Sequence, residues 1–284
     1  MKKYFYLFMS LLVLSCSIED DFSENREAKI ITNEIAAKSS NPVSLLKAWT
    51  TYSSYRGYQA YARKFTVKVA NLAYDKNVSI YHQRLDGNWD EIPLTYNQTI
   101  DDGQNEIWTV AYNQGGYSID RIYADEFVVQ YEVDGITYWD NNNGSNYAMS
   151  QSEGSFFADQ SLQVSVDTDF VSLSYFPYDN KNTFNITVDV RNLSLNKEVG
   201  VVYSSDGWQT QSYVPLTFRQ TWTNGPLYSI QSPNNFDIER WQGYARLAAS
   251  EDNLEYVIVY RVNGNEYWDN NYGNNYKVTI NSYN

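Results

Sequence analysis

Apolar and polar residues alternate along much of this chain with the two-residue period of a β-strand. Residues 65–69 read FTVKV and residues 186–190 read ITVDV, so every second side chain is apolar. Because successive strand side chains point to opposite faces of a sheet, this pattern predicts half-buried strands. Apolar positions at 78 and 80, and again at 199 and 201, predict a second strand in each region. Turn signals recur at short intervals and no long helical period separates them, which predicts an all-β protein of antiparallel sandwiches.

The same series of segments occurs twice in the chain. The strongest match is a ten-residue motif, YWDNNNGSNY at 138–147 and YWDNNYGNNY at 267–276. Three weaker blocks match in the same order, pairing 71–78 with 192–199, 86–89 with 206–208, and 92–96 with 214–218. A repeat of this length predicts two tandem domains. We place them at residues 42–150 and 151–284, with the joint in the polar segment 150–165.

The last hairpin of each repeat predicts the direction of its tryptophan. The Asp-Gly pair at 134–135 is a two-residue turn of the I′ kind. Counting outward from this turn places Tyr138 on the apolar face and Trp139 on the polar face. The Asn-Gly turn of the second repeat places Tyr267 and Trp268 in the same way. Since an exposed tryptophan at the same position of both repeats is unusual, we interpret Trp139 and Trp268 as platforms for stacking on sugar rings.

Composition limits the chemistry further. The chain has 284 residues, a formal net charge of −13 and 17% aromatic residues, including 27 Tyr and 8 Trp. This acidic balance argues against a nucleic acid partner, because phosphate binding requires clustered Lys and Arg. One Cys and one His exclude a disulfide framework, a thiolate zinc site and a Ser-His-Asp triad in each domain. We therefore expect no metal and no cofactor, and we place His82 on the core side or the rim of its strand.

The N-terminus predicts export. Two lysines precede a short apolar run, so residues 1–15 are predicted to be a signal peptide. The run Val-Leu-Ser-Cys resembles a bacterial lipobox, which implies lipidation of Cys16; an ordinary secretory signal is the alternative. Residues 16–41 then form a lipidated acidic tether, and its segment 17–21 resembles the export signal of surface lipoproteins in Bacteroidota, with a plain spacer as the alternative. The expected location is the outer membrane, exposed at the cell surface.

Three features together carry a family resemblance: the Asn-Leu-x-x-x-Lys-x-Val block, the Asp-Gly-(x)-Trp loop and the terminal ten-residue motif. They resemble carbohydrate-binding module family 21. The resemblance implies immunoglobulin-like β-sandwiches that bind α-1,4-glucans such as starch, glycogen and maltooligosaccharides, without catalytic residues. The positions that match the family's first site are Trp89, Trp139, Asn141, Asn146, Trp208, Trp268, Asn270 and Asn275. The positions that match its second site are Asn71, Tyr74, Lys76, Asn192 and Lys197.

The chain departs from the family pattern at three positions. Val128 and Val257 stand where family members can present an aromatic residue, and Leu195 stands in the second repeat where the first has Tyr74. The last difference puts the second site of the second repeat in doubt.

Two other functions compete with glucan binding. The first is a regulatory scaffold that targets a partner enzyme to glycogen or starch, although the Arg/Lys-Val-x-Phe docking motif of phosphatase-targeting subunits does not occur here. The second is a glycosidase, which needs two carboxylates such as Asp140 and Asp269. We interpret these residues instead as turn-fixing acceptors. A calcium loop beginning at Asp140 does not fit, because Ser145 and Gln151 stand where an EF-hand has Gly and Glu.

The expected partners follow from the anchor and the repeat. They are an α-glucan polysaccharide, the membrane through the lipid, and a surface amylase or a glycan-uptake protein. Two sites on one chain raise the apparent affinity for a repeating polymer by avidity.

Overall fold

The structure is a computed structural model that describes residues 41–117, 122–223 and 229–280. The chain from Asn41 onward forms one compact unit. The predicted signal peptide, the lipidation site Cys16 and the tether as far as residue 40 lie outside the described residues. In the part of the chain that is described, no helix has the length and apolar character needed to cross a membrane.

In the ranges 41–117 and 122–157, ten strands build the first sandwich. They are β1 (Val43–Tyr55), β2 (Tyr58–Ala70), β3 (Lys76–Arg84), β4 (Trp89–Pro93), β5 (Thr95–Ile100), β6 (Asn105–Tyr117), β7 (Tyr123–Val133), β8 (Ile136–Asp140), β9 (Tyr147–Ala148) and β10 (Gly154–Phe157). One sheet has the order β10-β1-β2-β6-β5, and the other has the order β4-β3-β7-β8 with β9 also paired to β7.

Twelve strands follow among the described residues of the second half of the chain. They are β11 (Val164–Val166), β12 (Ser172–Phe176), β13 (Lys181–Arg191), β14 (Lys197–Ser204), β15 (Ser212–Pro215), β16 (Thr217–Arg219), β17 (Thr221–Thr223), β18 (Ser229–Gln231), β19 (Ile238–Ala248), β20 (Asn253–Val262), β21 (Asn265–Asp269) and β22 (Tyr276–Thr279). One sheet of the second sandwich has the order β11-β13-β19-β16 with β12 on β13, and the other has β15-β14-β20-β21 with β22 on β20. Strands β17 and β18 form a separate hairpin. Short 3-10 turns lie at Asp101–Gly103, Asn142–Gly144, Thr168–Phe170 and Asn271–Gly273.

Each sandwich closes around its own apolar core. In the first, Phe65, Val67 and Val69 are buried from solvent and cluster with Val129 and Tyr131 of the opposite sheet. The apolar positions of 186–190 are buried in the same way in the second. The predicted alternation is therefore confirmed, and the protein is all-β, with two antiparallel sandwiches in tandem.

The two sandwiches share packing around strand β10. This strand follows the boundary predicted at residue 150, yet it pairs with β1 and extends the first sheet. Trp222 of the β17–β18 hairpin packs in one apolar cluster with Trp49, Phe157 and Ile238. Its indole lies directly over Gly154. Residues from both halves of the chain thus form a third core between the sandwiches, and the boundary at residue 150 stays a prediction.

A buried charge network lies beside this third core. Arg240 donates from Nε to Asp189 Oδ1 at 2.8 Å and from Nη2 to Asp167 Oδ2 at 2.6 Å. Ser155 of β10 donates its hydroxyl to Asp189 Oδ2 at 2.5 Å. Because Arg240 and Asp189 are each only 2% exposed, losing the Arg240 guanidinium would leave the buried Asp189 carboxylate without a positive partner. The network therefore joins β10 of the first sheet to β13 and β19 of the second sandwich.

Candidate functional site

The β7–β8 hairpin has the register that its turn predicts. Val133 pairs with Ile136 and Gln130 pairs with Trp139 across the turn. The Trp139 side chain lies on the outer face and is 42% exposed, whereas Tyr138 lies on the core side and stacks on the buried Tyr131. The second module repeats this arrangement, with Trp268 48% exposed. The predicted orientation of both tryptophans is confirmed.

The loop after each tryptophan has an unusual backbone. Residues 142–144 all have positive φ, at 51°, 56° and 90°. Asn and Gly tolerate this left-handed region better than other residues, which explains the Asn-rich motif. Asp140 accepts the backbone N–H of the loop at 3.3 Å and the Tyr147 hydroxyl at 2.9 Å. Asp269 holds the second loop, and Tyr276, in the same way. Both carboxylates therefore fix turns, as interpreted from the sequence.

Two asparagine side chains of the first loop lie beside Trp139. Asn141 accepts the Gly144 N–H through Oδ1 at 3.0 Å, so its amide N–H₂ group points away from the loop backbone. Asn146 donates from Nδ2 to Glu126 Oε2 at 3.0 Å, which keeps its carbonyl oxygen for another partner. Each amide is held by one hydrogen bond and offers its other end. The loop therefore presents one donor and one acceptor in fixed positions.

These groups meet in a shallow concave surface on the first module, which we call the first platform. Its volume is about 260 Å³, and its lining consists of Tyr81, Trp89, Val128, Trp139, Asn141 and Asn146. The Tyr81 and Trp139 rings lie 5.2 Å apart between centroids at an interplanar angle of 72°. Trp89 opens the edge strand β4 and is 38% exposed. The structure brings together all four residues predicted for this site.

Tyr81 is the member of the first platform that the sequence analysis missed. It lies on β3 between the buried residues Ile80 and His82, and it pairs with Val128 of β7. The alternation of β3 carried the signal, since Ile80 and His82 face the core and the residue between them must face the outer side of the sheet. His82 is completely buried, and its ring packs against Phe65 and the aromatic residues of β7.

The second module has the same hairpin beside different neighbours. Trp268 donates from Nε1 to Glu266 Oε1 at 2.8 Å. Val202 stands on β14 at the position that Tyr81 has on β3, because Tyr81 pairs with Val128 of β7 and Val202 pairs with the matching Val257 of β20. The aromatic residue moves instead to the paired position on β15, which is Tyr213. The two modules thus present different aromatic combinations.

A charged rim surrounds Trp268. Arg261 donates to Glu266 Oε2 at 2.6 Å and to Glu198 Oε1 at 3.2 Å. The Arg261 hydrogen bond lowers the pKa of the Glu266 carboxyl. Burial and a hydrogen bond to Glu198 raise the pKa of Tyr213 to about 12. The Tyr213 phenol is therefore neutral at pH 7 and donates a hydrogen bond to Glu198.

Trp208 occupies a loop rather than a strand. Its backbone has a positive φ of 68°, and its Nε1 donates to Glu255 Oε2 at 2.7 Å. Asp206 fixes this loop by accepting the backbone N–H and the hydroxyl of Thr210, which lowers its pKa to about 2. Trp89, by contrast, is the first residue of a strand. The structure places Trp208 at Glu255 on β20, and its assignment to the sugar site stays a prediction.

Residues predicted for the second site of the first module form a hydrogen-bonded network. Lys76 Nζ lies 2.5 Å from Asn71 Oδ1 and 2.8 Å from Glu106 Oε1. The Lys76 side chain is only 3% exposed, so its ammonium holds the β2–β3 loop against β6. Tyr74 is 96% exposed at the tip of that loop. Tyr74 is thus presented to solvent, and Lys76 is enclosed.

The second module repeats the network without the aromatic residue. Lys197 Nζ contacts Asn192 Oδ1 at 2.6 Å and Glu239 Oε2 at 2.8 Å. Leu195, 97% exposed, stands where the first module has Tyr74. The role of these residues in binding stays a prediction in both modules.

No group of three or more His, Cys, Asp or Glu side chains is arranged to hold a metal ion anywhere in 41–117, 122–223 or 229–280. What the outer faces do present, twice, is a tryptophan at a hairpin end with an asparagine-rich loop beside it. This arrangement defines the class as tandem β-sandwich modules with exposed aromatic binding surfaces. The chain belongs to the carbohydrate/starch-binding module family 21, whose model matches residues 54–150 and 165–279.

Individual relatives match one module at a time. Glucoamylase 1 of Rhizopus oryzae is 34% identical over 91 residues, covering 31% of this chain and 14% of the enzyme. Protein phosphatase 1 regulatory subunit 3B of Rattus norvegicus is 32% identical over 96 residues, covering 33% of this chain and 30% of the subunit. The chain thus spans less than a third of either relative.

A solved structure matches over a similar length. It is the starch binding domain of Rhizopus oryzae glucoamylase in complex with beta-cyclodextrin and maltoheptaose. The two are 30% identical in sequence, and the match covers 39% of this chain and 95% of the solved domain, with a TM-score of 0.30.

Proposed function

We propose that this protein binds starch- or glycogen-type α-1,4-glucans without catalysis, through the first platform and its counterpart around Trp268. One observation carries the proposal: Tyr81, Trp89, Trp139 and the two loop asparagines converge on one concave surface. Family membership supports it, since related proteins include a starch binding domain solved with maltoheptaose.

The chemistry of the first platform fits a neutral, hydroxyl-rich ligand. The apolar C–H face of a pyranose packs on an indole ring, while the hydroxyl groups at the ring edge form hydrogen bonds. Asn141 supplies a donor and Asn146 an acceptor at fixed positions. The lining contains no charged side chain. Binding should therefore depend little on salt.

Two modules in one compact unit favour a polymer over a short oligosaccharide. Strand β10 and the Trp222 cluster hold the modules together. When one module has bound a glucan, the second site meets the same chain at a high effective concentration. We infer that the protein retains long glucans more strongly than either site binds maltoheptaose.

The proposed location is the outer surface of a bacterial outer membrane. Its support is the sequence alone: the apolar leader, the lipobox ending at Cys16 and the acidic run behind it. An anchored binding protein would keep starch near a surface amylase or a glycan-uptake protein. Incorporation of labelled palmitate into the wild-type chain, but not into Cys16→Ser, tests the anchor.

The alternative is a scaffold that brings a partner enzyme to the glucan. The similarity to phosphatase regulatory subunits favours it. Pull-down of a phosphatase catalytic subunit by the purified chain would support this alternative.

Calorimetric titration with maltoheptaose tests the proposed function directly. Trp139→Ala removes the central ring of the first platform and should weaken binding there by about 2 kcal/mol, or roughly 30-fold. Tyr178→Ala is the matched control, since Tyr178 is 92% exposed on a hairpin outside the first platform. The proposal fails when wild-type protein shows no heat of binding, or when both variants bind like wild type.

A further inference from the structure

The outer face of the β13–β19–β16 sheet in the second module forms a groove, and its lining residues lie outside the repeated ten-residue motif. Asn185 of β13 pairs with Tyr244 of β19, and Thr187 pairs with Gln242. Thr217 of the edge strand β16 pairs with Gln242 from the other side. The groove has a volume of about 480 Å³, within the range of small-molecule sites. Its lining is Phe170, Asn185, Ile186, Thr187, Pro215, Thr217, Arg219, Gln242, Gly243 and Tyr244.

The polar groups of this groove are pre-arranged. Gln242 donates from Nε2 to the Thr187 hydroxyl at 3.1 Å and accepts from Arg219 Nε at 2.7 Å through Oε1. The Thr217 hydroxyl donates to the backbone carbonyl oxygen of Gln242 at 3.1 Å. Arg219 has further N–H donors on its two Nη atoms. One planar amide is therefore locked in the floor, between hydroxyl groups and a guanidinium.

Tyr244 supplies the apolar wall. It is 66% exposed in the middle of a sheet face. An aromatic ring at such a position contacts water over most of its apolar surface unless a ligand or a partner covers it. Arg219 is the one charged residue in the lining. An exposed aromatic ring beside a fixed amide and hydroxyl groups matches a polyhydroxylated neutral ligand better than an ionic one.

The first module shows what covers the equivalent face. There, Lys64 and Ala111 hold the positions of Asn185 and Tyr244, as the strand register shows. The start of the second module partly covers that face, and its Asp167 and Asp169 form ion pairs with Lys64. The cavity that remains in the first module is about 260 Å³ and is lined in part by these two aspartates, whereas the groove of the second module is lined by that module's own residues. In the second module, Asn185 and Tyr244 stand where the first module has a lysine and an alanine.

We propose that this groove is a third carbohydrate-binding surface, in which Tyr244 stacks on a sugar ring and Gln242, Arg219 and Thr217 bind its hydroxyl groups. The ligand is a segment of the same neutral α-glucan, so the inference rests on the proposed function. Tyr244 and Trp268 lie on the outer faces of the two different sheets of one sandwich. One protein thus binds glucan on opposite sides of its second module and bridges separate chains of a starch granule.

The test separates the groove from the platforms. We would replace Trp89, Trp139, Trp208 and Trp268 by Ala in the whole protein and label the threonine methyl groups with ¹³C. Titration with maltoheptaose should shift the Thr187 and Thr217 methyl resonances, and adding Tyr244→Ala should weaken this titration at least tenfold. Adding Tyr178→Ala instead should leave it unchanged, and Tyr244→Phe should retain most of the binding. The unperturbed methyl spectrum of each variant verifies its folding.

The outcomes distinguish two failures. If wild-type protein binds maltoheptaose but the platform-free protein shows no shift at Thr187 or Thr217, the groove is not a sugar site and the proposed function stands. If the wild-type protein itself binds no glucan, both proposals are overturned. Shifts that persist unchanged in Tyr244→Ala also contradict the inference, because the ring is then not the platform. Retention of a protein from a lysate on the groove, without any response to maltoheptaose, would identify it as a protein interface instead.

Discussion

Replacement of Trp222 by Ala tests whether the third core holds the two sandwiches together. Trp222 is 1% exposed and packs with Trp49, Phe157 and Ile238. Its ring also lies 4.5 Å from the Arg240 guanidinium carbon, a cation–π distance. Truncating a buried Trp to Ala costs about 3–5 kcal/mol, and the lost cation–π contact adds about 1 kcal/mol. We therefore expect the free energy of unfolding to fall by roughly 4–6 kcal/mol.

The assay is urea denaturation followed by far-ultraviolet circular dichroism, with maltoheptaose titration of the folded variant. Because Trp222 lies outside the lining of the first platform, the affinity of Trp139 and its neighbours for maltoheptaose should be unchanged. Retention by long starch chains should weaken, since the modules lose their fixed arrangement. The Tyr178→Ala variant, with an exposed ring, is the control for simple loss of an aromatic side chain.

A second variant probes the same contact from the other side. The Gly154 backbone has a φ of +73°, and a Cβ atom added there would lie 1.9 Å from the Trp222 ring. Gly154→Ala should therefore destabilise the protein without removing any atom. If Trp222→Ala lost less than about 1 kcal/mol, or if Gly154→Ala were neutral, the third core would not be a packed interface and the reasoning would be wrong.

Three further predictions concern single residues. Lys76→Met leaves the buried Glu106 carboxylate without its cationic partner, so the free energy of unfolding, measured with urea or heat, should fall by about 3–5 kcal/mol. Combining Lys76→Met with Glu106→Gln should recover much of this loss. The pKa of Asp206 is held near 2 in the folded protein and lies near 4 when unfolded, so its contribution is complete above about pH 4 and is lost as the pH falls toward 2. Asp206→Asn should flatten that part of the stability–pH curve, and an unchanged curve would count against the loop assignment. Asn143→Val places a β-branched residue at a φ of 56°, which should lower the free energy of unfolding by about 1–2 kcal/mol. The affinity of the first platform for maltoheptaose should fall as well. An unaltered melting temperature would refute the strain argument.

Local sequence rules predicted the hairpins well, because turn chemistry fixes register over a few residues. The Asp134–Gly135 turn was sufficient to place Trp139 outside and Tyr138 inside. The left-handed backbone of the Asn-rich loop was not predicted, although Asn and Gly adopt that backbone with less strain than most other residues. These features depend on short stretches of chain.

Features that depend on distant strands were not predictable in this way. Trp222 has an unremarkable sequence context, yet it fills the space between two sandwiches whose packing no local pattern encodes. Strand β10 joins the sheet of the preceding module across the predicted boundary. Trp208 resembles Trp89 in sequence, but hydrogen bonds within its longer loop direct it to Glu255. The alternation of β3 did contain the signal for Tyr81.

The two modules present related surfaces that differ in their aromatic residues. Each module presents an outward tryptophan with an asparagine-rich loop, and the aromatic residues on the adjoining strands differ, with Tyr81 on β3 in the first and Tyr213 on β15 in the second. This difference gives the two surfaces different shapes while the shared core joins them in one unit. We expect the two modules to prefer different conformations of the same polymer.

The central claim is that the two outward tryptophans bind glucan. Affinity electrophoresis in gels containing soluble starch tests it most directly, using wild-type protein, Trp139→Ala plus Trp268→Ala, and Tyr178→Ala at two salt concentrations. The account predicts strong, salt-insensitive retardation of wild type and of Tyr178→Ala, and loss of most retardation in the double variant. Retardation of the double variant equal to that of wild type would contradict it.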